Sequence, residues 1–163
     1  MKKTVIVIAL LAILATGTVF ADHPGGFGIG VQGGYHGGWR GGGAGGGALT
    51  LKLPTMPIFW SIGASLYESY FGLSVAGDYY LIDQNLAGPL HWYFGVGGYV
   101  DLGVGDDYLG LGIGGRLPIG LSLQPVPLLE IFLQIVPSIG VGILPGVGLG
   151  GGWGGNLGLR LWL

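Results

Sequence analysis

The chain has 163 residues, of which 9% are charged, and it contains 39 glycines and no cysteine. A soluble domain averages roughly 25% charged residues, so this chain has too few charges to cover a water-exposed surface well. The absence of cysteine excludes disulfides, thiolate metal sites and an N-terminal lipid anchor, and the formal net charge of −2 argues against nucleic acid as a partner.

The first predicted element is a signal peptide over residues 1–21. Lys2 and Lys3 give it a positive start. The apolar run 5–15 that follows is shorter than the roughly 20 residues of a spanning helix. Small or permissive residues end the segment, so we expect cleavage after Ala21 and a mature domain over residues 22–163. An uncleaved anchor helix is the alternative interpretation.

The mature chain alternates with a period of two residues, which is typical of strands. Glycine costs roughly 1 kcal/mol relative to alanine inside a helix, so the many glycines also disfavour helices. In the segment 127–137, Glu130 and Gln134 would share a helix face, but the bracketing prolines and the neighbouring strands favour a strand. The pattern predicts eight strands, at about residues 27–36, 46–54, 57–68, 70–82, 89–102, 108–118, 127–137 and 153–163.

These strands predict an all-β fold, a transmembrane antiparallel up-and-down β-barrel. A tilted spanning strand needs about 9–11 residues, and most of the predicted strands have that length. A closed barrel also satisfies its backbone hydrogen bonds internally, as lipid requires. The longest predicted connections are residues 37–45 and 138–152, and both are rich in glycine.

With its signal peptide, alternation and strand count, the chain resembles the small eight-stranded outer-membrane barrels of the OmpA-transmembrane-domain, OmpX and OmpW type. The resemblance covers the whole mature chain. It implies an outer-membrane location, both termini in the periplasm, and membrane lipid and the barrel-assembly machinery as partners. Such barrels usually end in an aromatic residue, whereas this chain ends in Leu163 with Trp162 one place earlier.

The alternation also predicts which side chains line the lumen. We expect an inward charge cluster in which the Glu130 carboxylate lies between the guanidiniums of Arg116 and Arg160. One turn near Pro145 and another near residue 123 would make both arginines neighbours of Glu130. The cluster would plug the periplasmic end of the barrel, and three separately hydrated charges are the alternative. The other predicted lumen-lining residues are Lys52, His91, Tyr93, Gly95, Gly97, Tyr99 and Asp101.

Two further residue types have two interpretations each. Inward glycines indicate either a hollow lumen or the small residues that a narrow barrel needs. Aromatic residues near the predicted strand ends favour rings at the membrane interface over ordinary packing. This aromatic set is Trp60, Tyr67, Tyr70, Phe71, Tyr79, Tyr80, Trp92, Tyr93, Tyr108 and Trp162.

The sequence leaves two classes of function open. One is a narrow channel or cavity for small apolar or uncharged molecules, and the other is a structural or surface-interaction protein without transport. The histidines are scattered and lack metal-binding or triad motifs, so we expect no metal, no cofactor and no enzymatic activity. The scattered histidines are His23, His36 and His91.

Overall fold

The computed structural model describes residues 25–38 and 42–163. The predicted signal peptide therefore lies outside the described residues, as does Arg40. Among the described residues, no helix is long and apolar enough to cross a membrane. The strands are β1 (Gly28–Gly38), β2 (Gly43–Lys52), β3 (Ile58–Leu66), β4 (Phe71–Ala87), β5 (Leu90–Gly105), β6 (Tyr108–Arg116), β7 (Ile119–Val126), β8 (Leu129–Leu144) and β9 (Gly148–Trp162).

The strands form one closed antiparallel barrel. Apart from β6 and β7, which do not pair with each other, each strand pairs with its neighbours in sequence. β9 pairs with β1 from Gly28↔Trp162 to Gly38↔Gly152, which closes the sheet. β6 and β7 are two parts of one crossing, since both pair with β5 and with β8. The buried Pro118 separates the two parts, and its carbonyl oxygen accepts a hydrogen bond of 2.8 Å from the Gly95 backbone nitrogen. The barrel therefore has eight crossings, as predicted.

The alternation of side chains gives the barrel an apolar exterior and a polar interior. On β9, the leucines at 157, 159 and 161 are exposed, while Asn156, Gly158 and Arg160 are buried. Apolar outward positions recur on every strand. This pattern suits lipid outside and packed side chains inside.

All connections that the structure describes are short. The predicted connection 138–152 is wrong over most of its length, because β8 and β9 pair as far as Gly142↔Gly148. In this segment, glycines of β8 lie opposite glycines of β9 and continue the strand pairing, although the glycine-rich composition predicts a loop. Similarly, residues 119–126 form β7 and extend the sixth crossing beyond its predicted end at 118.

The two ends of the barrel differ in what they contain. The end that carries Phe27 and Leu163, joined by two backbone hydrogen bonds, is called the terminal end below. It also carries the β2–β3, β4–β5 and β7–β8 turns. The opposite end is called the far end, and it carries the β1–β2, β3–β4, β5–β6 and β8–β9 connections.

Candidate functional site

A buried ion pair occupies the lumen near the terminal end. Arg160 Nη1 donates to Glu130 Oε2 at 2.9 Å, and their side chains are 3% and 0% exposed. Trp162 Nε1 donates to the same carboxylate oxygen at 2.9 Å. The two charged residues are direct partners in the β8–β9 ladder, whose register is centred on Pro145.

Aromatic rings complete this layer. The Arg160 guanidinium carbon lies 4.7 Å from the Phe59 ring centroid and 4.8 Å from that of Phe132. Phe59 stacks on Tyr80 at 4.1 Å, and Tyr80 stacks on Tyr93 at 4.4 Å. We call the set Phe59, Tyr80, Tyr93, Glu130, Phe132, Arg160 and Trp162 the plug.

Inward glycines make room for the plug. Phe132 lies directly opposite Gly158 in the ladder, and a Cβ at 158 would collide with the Phe132 ring. In the same way, the Tyr93 ring covers Gly120. The glycines in this half of the barrel therefore seat large neighbouring side chains and leave no hollow lumen.

The structure corrects the predicted position of Arg116. This residue lies opposite Ser138, eight positions along β8 from Glu130, and its Nη2 donates to Asp78 Oδ2 at 2.9 Å. The predicted turn near residue 123 is wrong, because β7 continues to Val126 and the chain turns at residues 127–128. The predicted three-membered cluster is thus two separate ion pairs. Sequence reasoning missed Asp78, an acidic residue within the predicted strand 70–82.

The second ion pair reaches across a glycine. Gly97 on β5 is the direct ladder partner of both Asp78 on β4 and Arg116 on β6. A Cβ at Gly97 would collide with Asp78 Oδ1 and the neighbouring backbone. Because this position has no side chain, the guanidinium can cross β5 to the carboxylate. Between the two ion pairs the structure leaves a void of about 10 Å³, lined by Gln32, Thr50 and Gln134 among others, which is room for about one water molecule.

The remaining predicted lumen residues occupy different levels of the barrel. Tyr93, Gly95, Gly97, Tyr99 and Asp101 all take inward positions of β5. His91 lies at the terminal mouth, where its Nε2 is 3.3 Å from Asn85 Nδ2. Lys52 is buried at the same end, and its Nζ donates to the Leu53 and Met56 carbonyl oxygens at 2.9 and 2.8 Å.

The aromatic set divides between the two faces of the barrel. Tyr80, Tyr93 and Trp162 are buried in the plug, so their predicted interfacial position is wrong. Trp60 and Phe71 are exposed on the outer face near opposite ends of the barrel. The type of aromatic residue does not distinguish a position in the plug from one on the outer surface, because both places offer the ring apolar contact and its polar tip a hydrogen-bond partner.

Above the Asp78–Arg116 pair, the lumen widens into a cavity of about 580 Å³. Ala76, Arg116 and Val136 lie at its floor, and glycines of the far-end rim surround its mouth. The walls carry polar groups beside apolar surface: Ser65, Ser74, Tyr99, Asp101 and Ser138 all line the cavity. The volume is within the 300–1,000 Å³ that is usual for small-molecule sites. In residues 25–38 and 42–163, the structure therefore has a cavity that opens at the far end and a plug at the terminal end.

Comparison with known proteins shows the fold. No family model and no curated protein matches the chain. Among solved structures, Neisserial surface protein A is 13% identical over 86% of this chain and 98% of its own, with a TM-score of 0.54. The N-terminal β-barrel domain of Pseudomonas aeruginosa OprF is also 13% identical, over 82% of this chain and 96% of that one, with a TM-score of 0.46. The first of these likenesses agrees with the predicted fold of small eight-stranded outer-membrane barrels, and at this identity it shows the fold alone.

Proposed function

We propose that the protein spans the outer membrane and binds a small polar molecule in a blind cavity open to the cell exterior, without forming a through-channel. The observation that carries this proposal is the pairing of one open cavity with one closed end. The plug fills the lumen from Glu130 to Phe59 at the terminal end, while about 580 Å³ stays accessible from the far end. With both termini in the periplasm, the far end faces outward.

The polar groups in the lining favour a polar ligand, whereas the sequence left both apolar and uncharged ligands open. Serine hydroxyls, Tyr99 and Asp101 face the space, and Arg116 at the floor is already paired with Asp78. These polar groups of the wall lose hydrogen bonds with water when an apolar molecule covers them, so an apolar ligand would bind at a cost. The described connections are short and offer little protruding surface, which makes a purely adhesive role a weaker candidate.

Single-cysteine labelling tests the proposal, since the natural chain has no cysteine. Ser74→Cys places a thiol in the cavity wall, and Thr50→Cys places one beside the plug, where the native residue is 2% exposed. In intact cells, a membrane-impermeant thiol reagent should label position 74 and leave position 50 unlabelled until the protein is unfolded. Labelling of position 50 in the folded protein would contradict a blind cavity. Failure to label position 74 from outside would contradict the orientation.

A further inference from the structure

The charges that face the cavity do not balance. Arg116 is paired with Asp78 at 2.9 Å, and both side chains are largely buried. Among the described residues that line the cavity, this pairing leaves Asp101 in the wall and Glu68 at the mouth as carboxylates without an ion-pair partner. Asp106 and Asp107 add two more acidic groups in the exposed β5–β6 turn at the same end. The described part of the open end therefore has an acidic character.

Asp101 is held where a ligand can reach it. Its carboxylate lies against Gly112 on β6, where an added Cβ would be 2.7 and 2.8 Å from its two oxygens. Ser74 is its direct ladder partner on β4, and both residues line the cavity. None of the described side chains donates a hydrogen bond to this half-buried carboxylate. A hydrogen-bond donor or a cation that enters the cavity would stabilise the charged form of this half-buried carboxylate.

Tyrosine rings border the same space. Tyr67 and Tyr70 stack with ring centroids 4.2 Å apart in the β3–β4 turn, and both line the cavity mouth. The Tyr67 ring covers Gly72, which brings the pair over the inner face of β4. Deeper in the cavity, Tyr99 crosses Gly114 towards Gly140. Aromatic faces attract cations through the ring quadrupole, more strongly when water is partly excluded.

We propose that this cavity binds a small organic cation, an amine or a quaternary ammonium compound, with its charge on Asp101 and its alkyl groups against Tyr67, Tyr70 and Tyr99. This inference rests on the proposed function, because it needs the cavity to be open to the exterior. The acidic turn residues at the far end raise the local concentration of cations and add to the rate of entry. An anion of the same size would face Asp101 and Glu68 with the wrong sign.

Choline and its neutral carbon isostere, 3,3-dimethylbutan-1-ol, test the proposal. The two probes have nearly the same shape and differ in the charge of one atom. Each is titrated calorimetrically into the refolded full chain in a non-ionic detergent, with empty micelles as a blank. The variants are Asp101→Asn, which keeps the shape of the side chain, and Asp106→Asn as a control that removes an equal charge outside the cavity lining.

We expect choline to bind about tenfold or more tightly than the isostere, which corresponds to roughly 1.4 kcal/mol. Asp101→Asn should remove that difference, and Asp106→Asn should retain most of it. Equal affinities in the natural chain, or a preference for choline that survives Asp101→Asn, would overturn the proposal. An absence of choline binding overturns it too if Ser74→Cys is labelled from outside. If Ser74→Cys is not labelled, the outward-open cavity itself is refuted.

Discussion

Glu130 and Arg160 are direct cross-strand partners on β8 and β9 and form an ion pair of 2.9 Å inside the barrel. Removing one member of a buried pair leaves an uncompensated charge, which typically costs about 3–5 kcal/mol. The pair therefore contributes to the register of the β8–β9 hairpin, because a slip of one residue between the two strands would turn one of the two charges towards the apolar exterior and leave the other unpaired inside.

A double-mutant cycle measures this coupling. Glu130→Gln and Arg160→Met should each lower the free energy of unfolding by about 3–5 kcal/mol, and the double variant should lose clearly less than the sum. The measurement is urea unfolding in detergent or lipid. As a matched control, Glu130→Gln combined with Arg116→Met should be additive, because the structure joins Arg116 to Asp78 instead. Additivity in the first cycle would mean that Glu130 and Arg160 do not interact.

Two adjacent glycines on β5 give a second prediction. Gly97→Ala should destabilise the barrel by about 1–3 kcal/mol, as overpacking does, since the new Cβ would displace the Asp78 carboxylate. Gly98→Ala is the control, because the nearest atom to a Cβ there is a backbone oxygen at 3.6 Å on the outer face. The measurement compares the unfolding midpoints of the two variants, and Gly97→Ala should have the lower one. Equal stabilities would show that the Asp78–Arg116 pair does not cross Gly97.

The outward face of the same strand gives a third prediction. Val96 is exposed on the outside of the barrel midway along β5. Val96→Lys should cost about 2–4 kcal/mol if this position lies near the bilayer midplane. Ser65→Lys places the same charge in the cavity, where water and carboxylates receive it, and should cost much less. Unfolding in lipid vesicles compares the two, and an equal cost would place the barrel outside the membrane or reverse its faces.

The fourth prediction concerns the predicted signal peptide. The Lys2–Lys3 start and the short apolar run predict that the exported protein begins at Asp22. N-terminal sequencing of protein isolated from outer membranes should find this residue first. Retention of Met1 in that fraction would instead support the uncleaved anchor helix.

The sequence predicts whether a side chain points inward or outward better than it predicts which side chain it contacts across the lumen. Alternation along one strand places Tyr93, Gly97 and Asp101 inward without knowledge of any other strand. The position of Arg160 opposite Glu130 needs one turn as well, and Pro145 marks that turn. Each further strand adds another turn position and so another source of error.

The partner of Arg116 shows where sequence reasoning ends. Its position depends on the β7–β8 turn, and residues 124–127, with two prolines, resemble a connection although most of them belong to β7. Asp78 lies two strands away from Arg116, so no local pattern joins the two residues. One signal was available in Gly97, because an inward glycine between two strands leaves room for a side chain to cross. The cavity has no signal of its own, since it is the space left by small residues on several strands.

Conductance across a planar lipid bilayer tests the central claim most directly. The natural chain is first refolded, and a change in its gel migration when it is left unboiled serves as the check that it is folded. It should then give no stepwise conductance at high salt, because the plug closes the terminal end. An Arg160→Ala, Phe132→Ala variant, which removes the centre of the plug, should give small steps under the same conditions. Steps of that size from the natural chain would contradict a blind cavity and support a through-channel.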